Sequence, residues 1–71
     1  MKITIKMSGN DWLVEDDRGL LANWHSPEGL EWAALFALDQ SKASGTEPEL
    51  GEGVPPDALD QGRRLLQRLK R

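Results

Sequence analysis

The 71-residue chain contains no cysteine and no tyrosine, one phenylalanine and one histidine. Without thiols there is neither a disulfide framework nor a thiolate metal site, the two commonest staples of very small domains. A Cys/His nucleophilic pair is excluded for the same reason. Long apolar runs are also missing. Nothing approaches the roughly 18 residues of a membrane span, and the opening MKITIKMSGN alternates apolar and polar residues where a secretory leader would be continuously apolar. The expected location is cytoplasmic. No glycine-rich phosphate cradle is present either, since Gly51-Glu52-Gly53 runs into Val-Pro-Pro and not into a helix start.

What is there suits one domain. A core of this size leaves only about 3–5 kcal/mol of net stability, so most large apolar residues must be structural. Three tryptophans carry nearly all the aromatic area. The net charge of −3 conceals a split. Residues 1–62 hold all 12 acids and 4 bases (−8), and residues 63–71 hold 5 bases and no acid (+5).

Residues 2–7 (KITIKM) alternate strictly, which predicts a strand with Ile3, Ile5 and Met7 on one face. Gly9-Asn10 fits a two-residue hairpin loop, which sets Ser8 opposite Asp11, Met7 opposite Trp12 and Ile5 opposite Val14. Asp16-Asp17-Arg18-Gly19 reads as a three-residue loop with Gly in the left-handed conformation. Asp16 should then face Leu20, Val14 should face Ala22, and Trp12 should face Trp24. Both turns put Ile3, Ile5, Met7, Trp12, Val14, Leu20, Ala22 and Trp24 on one buried face, whereas a one-residue slip in either hairpin would turn every side chain over.

Ser26-Pro27-Glu28 is a helix start, with a capping hydroxyl, proline at the first helical position and an acid at the positive end of the dipole. The helix should run to about Ala43 and end at Gly45. Leu30, Ala33, Ala34, Ala37, Leu38 and Ser41 form a small-residue face, which leaves Trp32 and Phe36 on other sides in need of cover. Residues 46–55, within the aperiodic SGTEPELGEGVPP, read as an acidic, solvated loop. From Pro56 onward the chain is amphipathic. Ala58, Leu59, Gly62, Leu65, Leu66 and Leu69 share a stripe, and Asp57, Asp60 and the terminal bases complement the helix dipole. The stripe either covers Trp32 and Phe36 of its own chain or pairs with another protein, and the first is expected. The predicted fold is therefore α+β: a three-stranded antiparallel meander packed on one helix over residues 1–45, the loop, and an amphipathic basic helix over residues 56–71.

In layout, residues 1–45, with Trp12, Val14, Gly19 and the helix opening SPEGLEWA, resemble the plant AP2-type domain and the arm-binding domain of phage integrases. The same element order is similar to the amino-terminal half of HicB-type antitoxins. The first two resemblances imply DNA reading by the sheet face opposite the helix. Here that face would carry Lys2, Thr4, Lys6, Asp11, Leu13, Glu15, Leu21, Asn23 and His25, two lysines against two acids, which departs from a DNA-reading pattern.

Catalytic chemistry has few candidates. His25 sits beside Ser26 at a strand-to-helix junction and reads as an exposed outer-face or hydrogen-bonding residue, and Glu15-Asp16-Asp17 lacks the alternate-ligand spacing of a calcium loop. No catalytic residue, metal or cofactor is expected. The expected function is a small non-catalytic protein-interaction module, a bacterial or phage regulator or inhibitor acting on another protein. Its contact residues would be Leu13, Leu21, Trp32, Phe36, Leu65, Leu66 and Leu69, and one form of it is a homodimer through the leucine stripe. The alternative is nucleic-acid binding through Arg63, Arg64, Arg68, Lys70 and Arg71.

Overall fold

The computed structural model describes residues 2–25 and 29–70. Three strands follow one another as a meander, β1 (Thr4–Ser8), β2 (Asp11–Asp16) and β3 (Gly19–His25). Helix α1 (Gly29–Ser41), a 3₁₀ turn (Lys42–Ser44), a short strand β4 (Glu49–Leu50) and helix α2 (Ala58–Leu69) complete an α+β fold. The sheet order is β3-β2-β1-β4.

The first hairpin has the expected register, with Ser8 opposite Asp11, Met7 opposite Trp12 and Ile5 opposite Val14. In the second, Trp12 faces Trp24 and Val14 faces Ala22 as expected, but Asp16 faces Gly19 instead of Leu20. The loop is the two residues Asp17-Arg18, closed by the Arg18 amide donating to Asp16 Oδ1 at 2.7 Å and by Gly19 at φ 131°. A tighter turn alone would shift the register by one residue. A bulge opposite the Val14/Glu15 step absorbs that residue on β3, so the tryptophan pair is kept. Leu20 consequently lies opposite Glu15 on the solvent side, 56% exposed, and does not join the buried face.

Ile3, Ile5, Trp12 and Val14 form the sheet half of the core, and Leu30, Ala33, Ala34 and Ala37 the helix half. Small side chains bring α1 close to a sheet whose own residues are bulky. The last turn of α1 tightens into the 3₁₀ turn and stops at Gly45 (φ 72°), whose amide donates to the Ser41 and Lys42 carbonyls. The expected start at Ser26-Pro27-Glu28 lies outside the described residues, as does Arg71.

The segment expected to be a solvated acidic loop contributes to the sheet. β4 runs parallel to β1, with the Glu49 amide donating to the Ile3 carbonyl at 2.8 Å and the Gly51 amide to the Ile5 carbonyl at 2.7 Å. Pro48 is buried, and Leu50 and Val54 pack on the core. Two bridging residues are too few to leave any period in a sequence, so the Gly, Pro and Glu content of this segment masks the strand.

Helix α2 packs on α1. Ala58, Gly62 and Leu65 are buried, Leu59 and Leu66 are half-buried, and Leu69 at the end of the stripe is 55% exposed. A Cβ on Gly62 would sit 2.7 Å from Ala34 Cβ and 2.9 Å from backbone atoms of Ala34 and Leu35, so the two helices touch almost backbone to backbone there. Two ion pairs tie α2 down at the rim, Arg68 to Glu31 at 2.7 Å and Arg63 to Glu47 in the loop. The leucine stripe packs within the chain, but against the Ala34 side of α1 and not over Trp32 and Phe36, the cover expected from the sequence.

Candidate functional site

Among the described residues four large hydrophobic side chains are exposed, Leu20 (56%) and Leu21 (39%) on β3, Trp32 (45%) on α1 and Leu69 on α2. β3 is an edge strand, because only β2 pairs with it. Its seven residues, GLLANWH, include no proline, lysine, arginine or carboxylate, so the devices that usually blunt an edge are missing apart from the bulge.

The surface beside that edge is apolar on both sides. On the helix side, Trp24 of β3 meets Phe36 of α1 with ring centroids 5.5 Å apart and planes tilted by 57°. Trp32 lies one helical turn before Phe36 and so on the same flank of α1, above the β3 edge. On the solvent side, Leu20 and the surplus bulge residue Leu21 are exposed, and Leu13 on β2 is half-buried. Leu20 is an exposed apolar residue that the sequence pattern places on the buried face, because DDRG followed by two leucines admits either turn length. The Asx bond of Asp16 was the signal that favours the shorter one.

Beyond the leucines, the outer sheet face is polar and internally paired. Lys2 bridges to Glu49 and Lys6 to Glu15, each at 3.1 Å. His25 Nδ1 and Asp11 Oδ1 are 2.6 Å apart, and the Asn23 side-chain amide donates to Asp11 at 3.3 Å. His25 is therefore an outer-face hydrogen-bonding residue at the end of β3. Glu15 and Asp16 are occupied by Lys6 and the Arg18 amide, and among the described residues no three His, Asp or Glu side chains converge on one point.

The remaining sequence-predicted contact residues are scattered. Leu65 is buried against α1, Leu66 is half-buried in an open, largely apolar groove of about 330 Å³ shared with Leu38, Lys42 and Arg63, and Leu69 stands at the far end of α2. Leu13 and Leu21 lie on the outer side of the sheet and Trp32 and Phe36 on α1 at its other face, and the α2 leucines are part of neither pair.

The bases of α2 are partly committed. Arg63 holds Glu47 and Asp60, and Arg68 holds Glu31. Arg64 and Lys70 are exposed and make no ion pair among the described residues. A polar hollow of about 420 Å³ between the helices is lined by Glu31, Gln61, Arg64, Gln67 and Arg68, one carboxylate against two guanidinium groups.

Trp12 is 6% exposed, and its Nε1 has no hydrogen-bond partner among the described residues. It packs as core beneath the candidate surface.

No protein-family model, curated protein or solved structure matches this chain.

Proposed function

We propose that the chain is a non-catalytic protein-interaction module whose docking surface is the β3 edge with its flanking apolar residues, Leu13, Leu20 and Leu21 on one side and Trp24, Phe36 and Trp32 on the other. The observation that carries this reading is an edge strand without proline, carboxylate, lysine or arginine on which Leu20 and Leu21 are exposed. Such an edge offers unpaired amides and carbonyls to an extended segment, and the apolar flanks receive that segment's alternate side chains. A regulator or inhibitor that occupies another protein's strand would work in this way without any catalytic group.

Nucleic-acid binding is supported less well. Affinity for phosphates scales with the number of cations free to neutralise them, and acids hold two of the four described bases from Arg63 to Lys70. The paired outer sheet face adds no surplus of positive charge.

The test is selection of random extended peptides on the immobilised chain. Uncharged peptides with alternating apolar residues should be enriched, and Leu21→Lys, which adds a charge at an already exposed position, should abolish their capture. No enrichment, or salt-sensitive binding of a DNA duplex that disappears in Arg64→Gln/Lys70→Gln, would overturn the reading.

A further inference from the structure

We propose that the polar hollow between α1 and α2 binds one small oxyanion, a carboxylate or a phosphate group held by Arg64 and Arg68. The site is separate from the β3 edge and does not depend on what docks there.

Helical spacing builds one wall. Gln61, Arg64 and Arg68 follow one another at i, i+3 and i+7 along α2, with Gln67 beside Arg68, so these polar side chains line the same side of the helix. Glu31 of α1 stands opposite. The Gly62–Ala34 contact holds the two helices at short range, and the longer side chains beside it border an open volume of about 420 Å³. That is within the size range of small-ligand sites.

The hydrogen-bonding inventory of this hollow is one-sided. Each guanidinium is a donor only, and each carboxamide adds an amino group. Against them stands a single carboxylate, Glu31, which accepts from Arg68 Nη2 at 2.7 Å. Gln61, Arg64 and Gln67 make no side-chain hydrogen bond among the described residues, whereas Arg63 next door is taken by Asp60 and Glu47. Donors therefore converge on a space that holds too few acceptors.

Glu31 also shows the kind of group the hollow accepts. Its carboxylate fixes the Arg68 guanidinium across the gap between the helices, and it leaves the other N–H groups of Arg68, and Arg64, for a second acceptor. One carboxylate against two guanidinium groups leaves a local surplus of one positive charge, in a chain whose net charge is −3. A carboxylate and a phosphate both present a pair of oxygens to the guanidinium fork, so the recognition chemistry is common to them. The walls are open to water, and binding should accordingly be weak, in the millimolar range.

The experiment is a nuclear magnetic resonance titration of the full chain that follows backbone amides and arginine side-chain N–H groups. Sodium phosphate and sodium acetate are added in separate series, each against sodium chloride at equal ionic strength. Saturable shifts at Gln61, Arg64, Gln67 and Arg68 are expected in phosphate, acetate or both, and not in chloride. Arg64→Gln should weaken binding about tenfold or more, the loss of a charge-assisted hydrogen-bonding partner. Lys70→Gln, which removes an exposed charge outside the hollow, should leave the affinity unchanged. Glu31→Gln removes the resident competitor and should strengthen binding a few-fold. A Glu31–Arg68 pair that merely ties the helices together would alter stability and leave anion affinity where it was. Far-ultraviolet circular dichroism matching the parent checks that each variant is folded.

Shifts as large in chloride, a response that does not saturate, equal affinity in Arg64→Gln, or affinity that does not rise in Glu31→Gln overturns the site. Saturation by phosphate alone narrows the ligand to phosphoryl groups, and saturation by acetate alone narrows it to carboxylates.

Discussion

At the scale of residues, close contact and exposure make opposite predictions for two sites. Gly62 lies in a helix interior, where Gly→Ala ordinarily adds about 1 kcal/mol of stability. Here the new methyl would meet Ala34 and two backbone atoms under 3.0 Å, contacts that no side-chain rotation relieves. Overpacking of this kind costs about 1–3 kcal/mol, so the steric term should win. Gly62→Ala should lower the urea midpoint with an unchanged slope, a net loss of up to about 2 kcal/mol. Trp32 behaves in the other sense. It is 45% exposed while Trp12 is 6% exposed, so Trp32→Phe should shift the remaining emission to the blue and remove most of the acrylamide-quenchable signal, with little change in stability.

At the scale of elements, α2 is an integral part of the fold. A chain ending at Gly62 would lose Leu65, whose burial is worth about 1.5–3 kcal/mol, along with Leu66 and the Arg68–Glu31 and Arg63–Glu47 pairs. Against a total of about 3–5 kcal/mol that loss should leave a large unfolded fraction, visible as reduced ellipticity at 25 °C. The charge of α2 is better probed by Arg64→Gln/Lys70→Gln, which removes exposed cations without touching the helix contact. Much of this organisation was legible in the sequence. Strict alternation in KITIKM, two turns with defined chemistry and an amphipathic carboxy-terminal segment specify the meander, the α1 face and the existence of α2. Three features were not legible, each for a physical reason. β4 is two residues long, so it carries no period. The Asp16–Gly19 turn admits two loop lengths, and only the bulge reconciles the shorter one with the Trp12–Trp24 pair. An amphipathic stripe announces that it is buried without saying against what, although the small residues Gly62 and Ala34 were the available sign of a close helix crossing. The candidate site was half legible: Leu13, Leu21, Trp32 and Phe36 were singled out, Leu20 was placed on the wrong face, and the β3 edge that unites them emerges only from the strand order.

At the scale of the whole molecule, the two readings of function respond to salt in opposite directions. Phosphate binding weakens steeply as salt rises, because condensed counterions are no longer released at a gain. Docking of an uncharged extended peptide on the β3 edge should hold between 50 mM and 500 mM salt, because screening leaves apolar burial in place. Peptide capture and duplex-DNA titration at both salt concentrations read the two signs directly. The strand order also governs the chain while it is being made. The free side of β1 is closed only by Glu49 and Leu50, which follow the meander and α1 in the sequence. At about 5–20 residues per second, the roughly 25 residues between the end of β3 and β4 take on the order of one to five seconds to synthesise. The meander therefore precedes, in order of synthesis, the two residues that close the free side of β1, and its other side, β3, has no later strand beside it among the described residues.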